Sequence, residues 1–151
     1  MPAKREEIVP ELRQKLGDRI VELVEKSPRR VFIEVKPADV PQATRMIFRD
    51  MGARLQIATA IDTPAAVEIL YHWAFDALDC VVNIKTKLDR DKPEIESIAS
   101  ICKGAEWIER EMWELLGITF RNHPDMRHLL LLDNWPEGKF PLRRDYKGLD
   151  R

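Results

Sequence analysis

The feature that most constrains the fold is a pair of segments, residues 67–75 and 80–88, in which apolar and polar side chains alternate. A period of two is the pattern of a β-strand with one face in a core and the other in water. Only the short connection 76–79 separates the segments, which favours an antiparallel pair. The predicted inward residues are Val67, Ile69, Tyr71, Trp73, Phe75, Cys80, Val82, Ile84, Thr86 and Leu88.

The rest of the chain predicts further strands and helices. The strands span residues 19–25, 31–35 and 55–61, and the helices span residues 8–16, 37–51 and 105–116. Gly17, Gly52 and Gly117 follow the three helices and favour their ends. Residues 19–25 could also extend the first helix, but Gly17-Asp18 interrupts it and β-branched residues follow, which favours a strand. We therefore predict an α+β fold, a two-layer domain with a mainly antiparallel sheet of four or five strands and helices on one face.

The last part of the chain is rich in residues that interrupt regular structure. These are Pro124, Pro136, Gly138 and Pro141, and they argue against long helices or strands. We therefore predict a single domain made of an α+β body, residues 1–120, and an extended Pro/Arg-rich arm, residues 121–151. Its mixture of charges, aromatics and prolines indicates a segment that docks on a partner protein.

Composition excludes several classes of function. The chain has 151 residues, enough for one domain with a hydrophobic core, and a formal net charge of −1. Such a balance argues against a general nucleic-acid or anionic-membrane surface. No apolar run approaches the roughly 20 residues that span a bilayer, and residues 1–7 lack the apolar core of a signal peptide. We expect a cytoplasmic protein, or one bound peripherally at the cytoplasmic side of a membrane.

The sequence also lacks the common cofactor motifs. Cys80 and Cys102 lie far apart and neither belongs to a Cys-x-x-Cys unit, so iron–sulfur or zinc ligation has no support. Reduced, buried thiols are expected. No glycine-rich phosphate loop is present, which argues against nucleotide, flavin or nicotinamide binding. We therefore expect neither a cofactor nor a metal in this chain.

A cluster of acids and histidines near the start of the arm is the candidate for catalysis. Its members are Glu109, Glu111, Glu114, His123 and His128. The two histidines are five residues apart with Pro124 between them, which does not fit the spacing of three or four found in helical metal sites. A solvated or docking face explains the acids better than a general acid–base pair.

Two alternative functions stay open at this point. One is a stand-alone metal-dependent enzyme that uses the Glu/His cluster. The other is a free adaptor or nucleic-acid-binding module that uses the basic end of the arm, which contains Arg143, Arg144, Lys147 and Arg151.

The four tryptophans divide into core and interface candidates. Trp73 is predicted to lie in the core because it falls on the inward face of its strand. Trp107 and Trp113 fit a core or an interface equally well. Trp135 lies in the Pro-rich arm and is the better interface candidate, because aromatic and arginine residues dominate binding energy at interfaces.

A signature runs through the helix 105–116 and into the arm. It begins Glu109-Arg110-Glu111, continues with Glu114-Leu115-Leu116, and reaches His123-Pro124, Arg127 and Leu129-Leu130. Downstream stand Trp135, Gly138 and Pro141-Leu142-Arg143-Arg144-Asp145-Tyr146. In these residues the chain closely resembles the 30 kDa-type subunit of respiratory complex I, the proton-pumping NADH:quinone oxidoreductase. The same family includes the matching subunits of energy-converting membrane-bound NiFe hydrogenases and formate hydrogenlyases.

The resemblance implies a non-catalytic subunit of an oxidoreductase complex, held at the inner face of the cell membrane by its partners. It implies docking to a hydrogenase-like large subunit and proximity to an iron–sulfur small subunit. Iron–sulfur clusters, and flavin or a NiFe centre, would belong to those partners. The expected docking residues are Glu109, Arg110, Glu111, Glu114, His123, Pro124, Arg127, Trp135, Arg143, Arg144, Asp145 and Tyr146. Asn122 and Lys147 stand where many members have Gly and Pro, and the branch of the family, quinone- or proton-reducing, stays open.

Overall fold

The computed structural model describes residues 1–149. Its main sheet contains β1 (Ile20–Ser27), β2 (Arg30–Val35), β3 (Arg54–Asp62), β4 (Val67–Phe75) and β5 (Cys80–Leu88). The strands lie in the order β1-β2-β5-β4-β3. Neighbouring strands are antiparallel except β2 and β5, which run parallel. A helix and the β3–β4 hairpin lie between β2 and β5 in the chain and form the crossover that a parallel pair requires. The prediction of a mainly antiparallel sheet, including a strand near 19–25, is confirmed.

Three helical segments accompany the sheet. They are α1 (Ile8–Leu16), α2 (Val40–Thr44) and α3 (Ala105–Leu116). A 3-10 turn (Pro37–Asp39) leads into α2, and a π-helical segment (Arg45–Asp50) continues it. Together these three pieces make up the helix that we predicted over residues 37–51.

The hydrophobic core lies between the helices and one face of the sheet. All the predicted inward residues of β4 and β5 are buried, Trp73 among them. The same buried cluster contains Ile8, Leu12 and Leu16 of α1, Val40 and Ala43 of α2, and Ile47 of the π-helical segment. Most of the residues between the inward ones are only partly buried, as the period of two predicts, although Ala74 and Asn83 are buried as well. The α+β fold class is confirmed.

A small second sheet pairs the segment before α3 with the segment after it. It consists of β6 (Glu94–Glu96) and β7 (Thr119–Arg121), which pair in parallel. Two further backbone bonds extend the pairing, from Ser97 N–H to the Arg121 carbonyl (2.9 Å) and from Thr119 N–H to the Pro93 carbonyl (2.8 Å). These two strands could not be predicted from the sequence, because three residues are too few to show a period.

The buried face of α3 differs from the prediction. The apolar spacing of α3 predicts that Ile108, Met112, Leu115 and Leu116 face inward. Met112 and Leu116 are buried, but Ile108 and Leu115 are only partly buried. Three charged residues are buried instead, namely Glu109, Arg110 and Glu114. Arg110 and Glu114 are buried because residues 123–131 lie along the side of α3 that we expected to face water. Glu109 is buried because it faces Ser97 and Ile98.

The segment 122–149 has no helix or strand, as the prolines predicted. It does not stand away from the body, however, since backbone and side-chain bonds tie it to α3 and to β3. Within residues 1–149, no helix has the length and apolar character needed to cross a membrane.

Candidate docking surface

Glu114 sits at the centre of the contact between α3 and the arm. Its carboxylate accepts backbone N–H bonds from Leu130 (2.7 Å), Leu129 (3.1 Å) and Leu131 (3.3 Å), and a bond from His128 Nδ1 (3.0 Å). Burial by itself would raise the pKa of Glu114, but these donors outweigh it and lower the pKa. The charged carboxylate therefore acts as a fixed anchor for three consecutive backbone amides.

Arg110 holds the preceding part of the same segment. Its Nε donates to the carbonyl of Arg127 (2.9 Å) and its Nη2 donates to the carbonyl of His128 (2.6 Å). A guanidinium group is suited to this role because its donors have a fixed planar arrangement. Arg110 and Glu114, one helical turn apart, thus bind the carbonyls and the amides of residues 127–131, which we call the clamped segment.

Glu109 points to the other side of α3, into the interior. It accepts bonds from Ser97 Oγ (2.5 Å) and from the backbone N–H of Ile98 (2.8 Å). Burial raises the pKa of Glu109 to about 7, against the lowering effect of these two donors. The buried hydroxyl of Tyr71 has no hydrogen-bond partner within the described chain, and burial, with a contribution from Glu109, raises its pKa well above the usual value.

His123 is used structurally. Its Nδ1 accepts the backbone N–H of Asp125 (3.1 Å), which places the ring hydrogen on Nε2, and Nε2 donates to the carbonyl of Glu106 (2.9 Å). Its Nε2 also lies 3.8 Å from a carboxylate oxygen of Glu109. Ser97, Glu109 and His123 are near one another but buried, and the Ser97 Oγ also accepts the N–H of Ala99, so a substrate has no access to this group.

The remaining predicted residues of the signature lie at the surface. Glu111, Pro124 and Arg127 are exposed, and Arg127 pairs with Asp125 at 2.9 Å. Among residues 1–149, no group of three or more His, Cys, Asp or Glu side chains could hold a metal ion. The acids and histidines that we considered for an enzyme are therefore divided between internal bonds and the surface.

Trp107, Trp113 and Trp135 lie in different environments. Trp107 on α3 is exposed, whereas Trp113 is partly buried against the core and its ring lies 5.1 Å from that of His128. Trp135 is half-buried and its indole N–H donates to the Lys139 carbonyl (2.7 Å), which closes a turn in the arm.

The basic end of the arm folds back onto the body through Asp62. The buried carboxylate of Asp62 accepts two bonds from Arg90 (2.8 and 3.1 Å) and one from the backbone N–H of Arg144 (2.8 Å). Arg143 lies 3.6 Å from the same carboxylate and donates to the Arg90 carbonyl (2.8 Å). Burial would raise the pKa of Asp62, but the bonds from Arg144 and Arg90 lower it.

These contacts change the expected role of several docking candidates. We expected the side chains of Glu109, Arg110, Glu114 and Arg143 to lie at the surface, but the structure has them bonded within the chain. Arg144 and Asp145 have exposed side chains and Tyr146 is half-buried. Docking by these exposed residues stays a prediction.

The structure also shows residues that the sequence analysis did not select. The side chains of Leu130, within the clamped segment, and Leu132, just after it, are strongly exposed, and Asp62 anchors the arm. The role of Asp62 could not be predicted from the sequence, because an acidic residue at the end of an alternating strand is common. The leucines gave a weak signal, since a run of four from Leu129 to Leu132 has no period that would assign any of them to the core.

Comparison with known proteins identifies the family. The model of the respiratory-chain NADH dehydrogenase 30 kDa subunit matches residues 33–151. The corresponding subunit of the F(420)H(2) dehydrogenase of Methanosarcina mazei is 35% identical over 144 residues, which cover 93% of this chain and 90% of that protein. The corresponding subunit of the NADH-quinone oxidoreductase of Chloroherpeton thalassium is 33% identical over 145 residues, and the match covers 90% of this chain but only 58% of that protein.

A solved structure shows the same fold. A chain of the membrane-bound sulfane sulfur reductase, an archaeal respiratory membrane complex, superposes with a TM-score of 0.83 at 26% identity, over 95% of this chain and 86% of that one. The Glu-Arg-Glu signature and the clamped segment lie within the matched range 33–151. The chain therefore belongs to the 30 kDa subunit family of respiratory-chain NADH dehydrogenase and related complex I-like membrane complexes.

Proposed function

We propose that this chain is a non-catalytic subunit that docks on the hydrogenase-like large subunit of a complex I-like oxidoreductase and completes its peripheral part. The observation that carries the proposal is the clamped segment. Arg110 and Glu114 are buried charges that fix the backbone of residues 127–131, while the side chains of Leu130, within this segment, and Leu132, just after it, are left exposed. Burying charge is costly, and the most direct benefit is a segment that is already ordered when a partner meets it.

The relatives support a role outside the chemistry. They are named as parts of an F(420)H(2) dehydrogenase, an NADH-quinone oxidoreductase and a sulfane sulfur reductase, which carry out different reactions. A subunit that is shared by such complexes is better suited to their framework than to a reaction that differs between them. The iron–sulfur clusters, and flavin or a NiFe centre, would then be held by partner subunits, with an iron–sulfur small subunit as a neighbour.

The location follows from the same proposal. A subunit of this kind reaches the membrane through its partners and lies at the cytoplasmic face. The alternatives of a metal-dependent enzyme and of a nucleic-acid-binding module gain nothing from the structure, because the Glu/His cluster is not assembled into a site and Arg143 is bonded to the body.

The proposal is tested by measuring the affinity of the full chain for the purified large subunit of the same organism. We expect a one-to-one complex. Glu114→Ala should weaken it roughly tenfold or more, because the clamped segment loses its anchor. Glu25→Ala removes an exposed carboxylate of β1 and is the control, with a much smaller expected effect.

Two results would contradict the proposal. One is failure of the correctly folded wild-type chain to bind the large subunit. The other is a stoichiometric metal, flavin or iron–sulfur chromophore in the purified chain, measured by elemental analysis and absorbance, which would give the chain a redox role of its own.

A further inference from the structure

We propose that the contact with the large subunit is centred on an apolar patch formed by Trp107, Leu130 and Leu132, and that the partner offers an apolar surface flanked by lysine or arginine side chains. This inference rests on the proposed function and specifies its site. It moves the centre of docking away from the arginines at the end of the arm, because Arg143 is bonded to the body.

The three side chains are unusually exposed. Leu132 is 72% exposed, Trp107 67% and Leu130 64%. Apart from Met1 at the chain start, the other large apolar side chains among residues 1–149 are less exposed than these three. Trp and Leu side chains that are held open to water are the kind of surface that a partner covers in a specific interface.

The three side chains lie along one side of α3, because residues 123–131 run along the helix in the same direction. His123 is bonded to the carbonyl of Glu106, Arg110 to residues 127–128, and Glu114 to residues 129–131. Trp107 and Glu114 are separated by two helical turns, about 10 Å, and project to the same side of α3. Trp107 therefore lies near the start of the clamped segment, and Leu130 lies near its end.

The patch is also rigid. Six hydrogen bonds hold the backbone of the clamped segment and the His128 ring. Arg110 donates two of them and Glu114 accepts four. A partner that covers the leucines therefore loses little free energy in ordering the backbone, and most of the gain from burying apolar area contributes to affinity.

The charges around the patch select the partner. Glu106, Glu111 and Asp133 form an acidic rim, and none of them makes an ion pair within the part of the chain that is described. The pKa of Arg127 is raised by its bond to Asp125 and further by Asp133 and Glu106, which places both carboxylates near this arginine. Arg127 is already paired and Lys103 is a single base before α3. A surface with this excess of carboxylates attracts basic side chains.

The open face of the main sheet is the competing surface. It exposes Ile57 and Ile61 of β3, but its two lysines are already paired, Lys85 with Glu68 at 3.2 Å and Lys87 with Glu34 at 3.0 Å. The charges of that face therefore offset one another more than those around the patch, and the observations favour the patch.

The test compares variants of the full chain in binding to the purified large subunit. Leu130→Ser with Leu132→Ser should weaken binding by about 30-fold or more, because two apolar side chains no longer contribute buried area. Trp107→Ala should separately have an effect of about the same size, as expected for a hot-spot tryptophan. Ile57→Ser is the matched control, since it removes an exposed apolar side chain from the competing face, and it should change the affinity less than about threefold. Circular dichroism and thermal unfolding confirm that each variant is folded.

The acidic rim is tested through the association rate. Glu111→Lys and Asp133→Lys should each slow association by several-fold at low salt, and the effect should shrink as salt increases. Glu25→Lys makes the same charge change on the exposed part of β1 and should have little effect.

The outcomes separate the inference from the proposed function. Failure of the wild-type chain to bind removes both. If the wild-type chain binds and the patch variants bind within about threefold of it, docking stands and the patch is wrong. If the wild-type chain alone sediments as a dimer and the Leu130→Ser, Leu132→Ser variant as a monomer, the patch joins two copies of this chain and the assignment to the large subunit is overturned.

Discussion

The residues that identify the family work mainly inside the chain. Glu109 bonds Ser97 and Ile98, Arg110 binds carbonyls, and Glu114 binds amides. Their spacing placed Arg110 and Glu114 correctly on one side of α3. It could not show that a later segment of the same chain covers that side, because helical spacing carries no information on what lies against a face.

The buried carboxyl of Glu109 predicts a pH dependence of stability. Its pKa is raised from 4.5 in the reference state to about 7 in the folded chain, chiefly by burial. The folded chain therefore binds the proton more tightly than the unfolded chain, and this contribution to stability is lost as the pH rises from about 4.5 to about 7. Glu109→Gln should gain about 2–3 kcal/mol relative to wild type between pH 5 and pH 8.

Chemical denaturation of both chains at pH 5 and pH 8 measures this difference. Comparing variant with wild type removes the opposite pH dependence that comes from Asp62 and Glu114, whose folded pKa values are lowered. Glu111→Gln, at an exposed site, is the control and should show no such difference. An unchanged gap for Glu109→Gln between the two pH values would show that the carboxyl is charged throughout the range.

Arg143 and Arg144 are neighbours whose removal is expected to affect stability very differently. Arg143→Ala removes a bond to the Arg90 carbonyl and the contact with Asp62, and should lower the free energy of unfolding by about 1–3 kcal/mol. Arg144→Ala keeps the backbone N–H bond to Asp62 and removes only an exposed side chain, so its effect should stay within about 0.5 kcal/mol. Urea unfolding of the two variants checks this, and equal effects would mean that the arm is not fastened through Arg143.

At the scale of elements, the long alternating strands and the glycine-terminated helices could be predicted. The segments 67–75 and 80–88 match β4 and β5 because their period of two extends over nine residues each. The strands β6 and β7 could not be predicted, since each has three residues and their pairing depends on the position of α3. The path of the arm could not be predicted either, because it depends on hydrogen bonds to particular side chains and not on a periodic pattern.

The crossing of the arm over the end of α3 depends on Gly117. This residue has φ +72° and ends the helix, and a Cβ atom there would lie 2.6–2.8 Å from ring atoms of Phe140. Gly117→Ala should therefore destabilise the chain by about 1–3 kcal/mol and displace Phe140.

Gly138→Ala is the matched control for this prediction. Gly138 has a similar φ of +75°, but a Cβ atom there meets nothing within 4 Å. It reports the cost of the left-handed backbone alone, about 1 kcal/mol. Equal losses of stability in the two variants, measured by thermal unfolding, would mean that Phe140 does not pack on Gly117.

At the scale of the whole molecule, the chain is a body whose C-terminal segment is laid along α3 and fastened near Asp62. The predicted boundary at residue 120 is crossed by bonds from Arg110 and Glu114 to residues 127–131. Removal of everything after residue 120 would take away the partners of those two charges and uncover the side of α3 on which the arm lies. A truncation would therefore test the stability of the body as much as docking, and point variants are the sharper probes.

The most direct test of the account is amide hydrogen exchange of the full chain, alone and bound to the large subunit. In the free chain the amides of residues 129–131 should already be protected by Glu114. Binding should add protection around Trp107 and residues 130–132 and leave β1 and β2 unchanged. Fast exchange at residues 129–131 in the free chain, or new protection confined to the open face of the main sheet, would contradict the account.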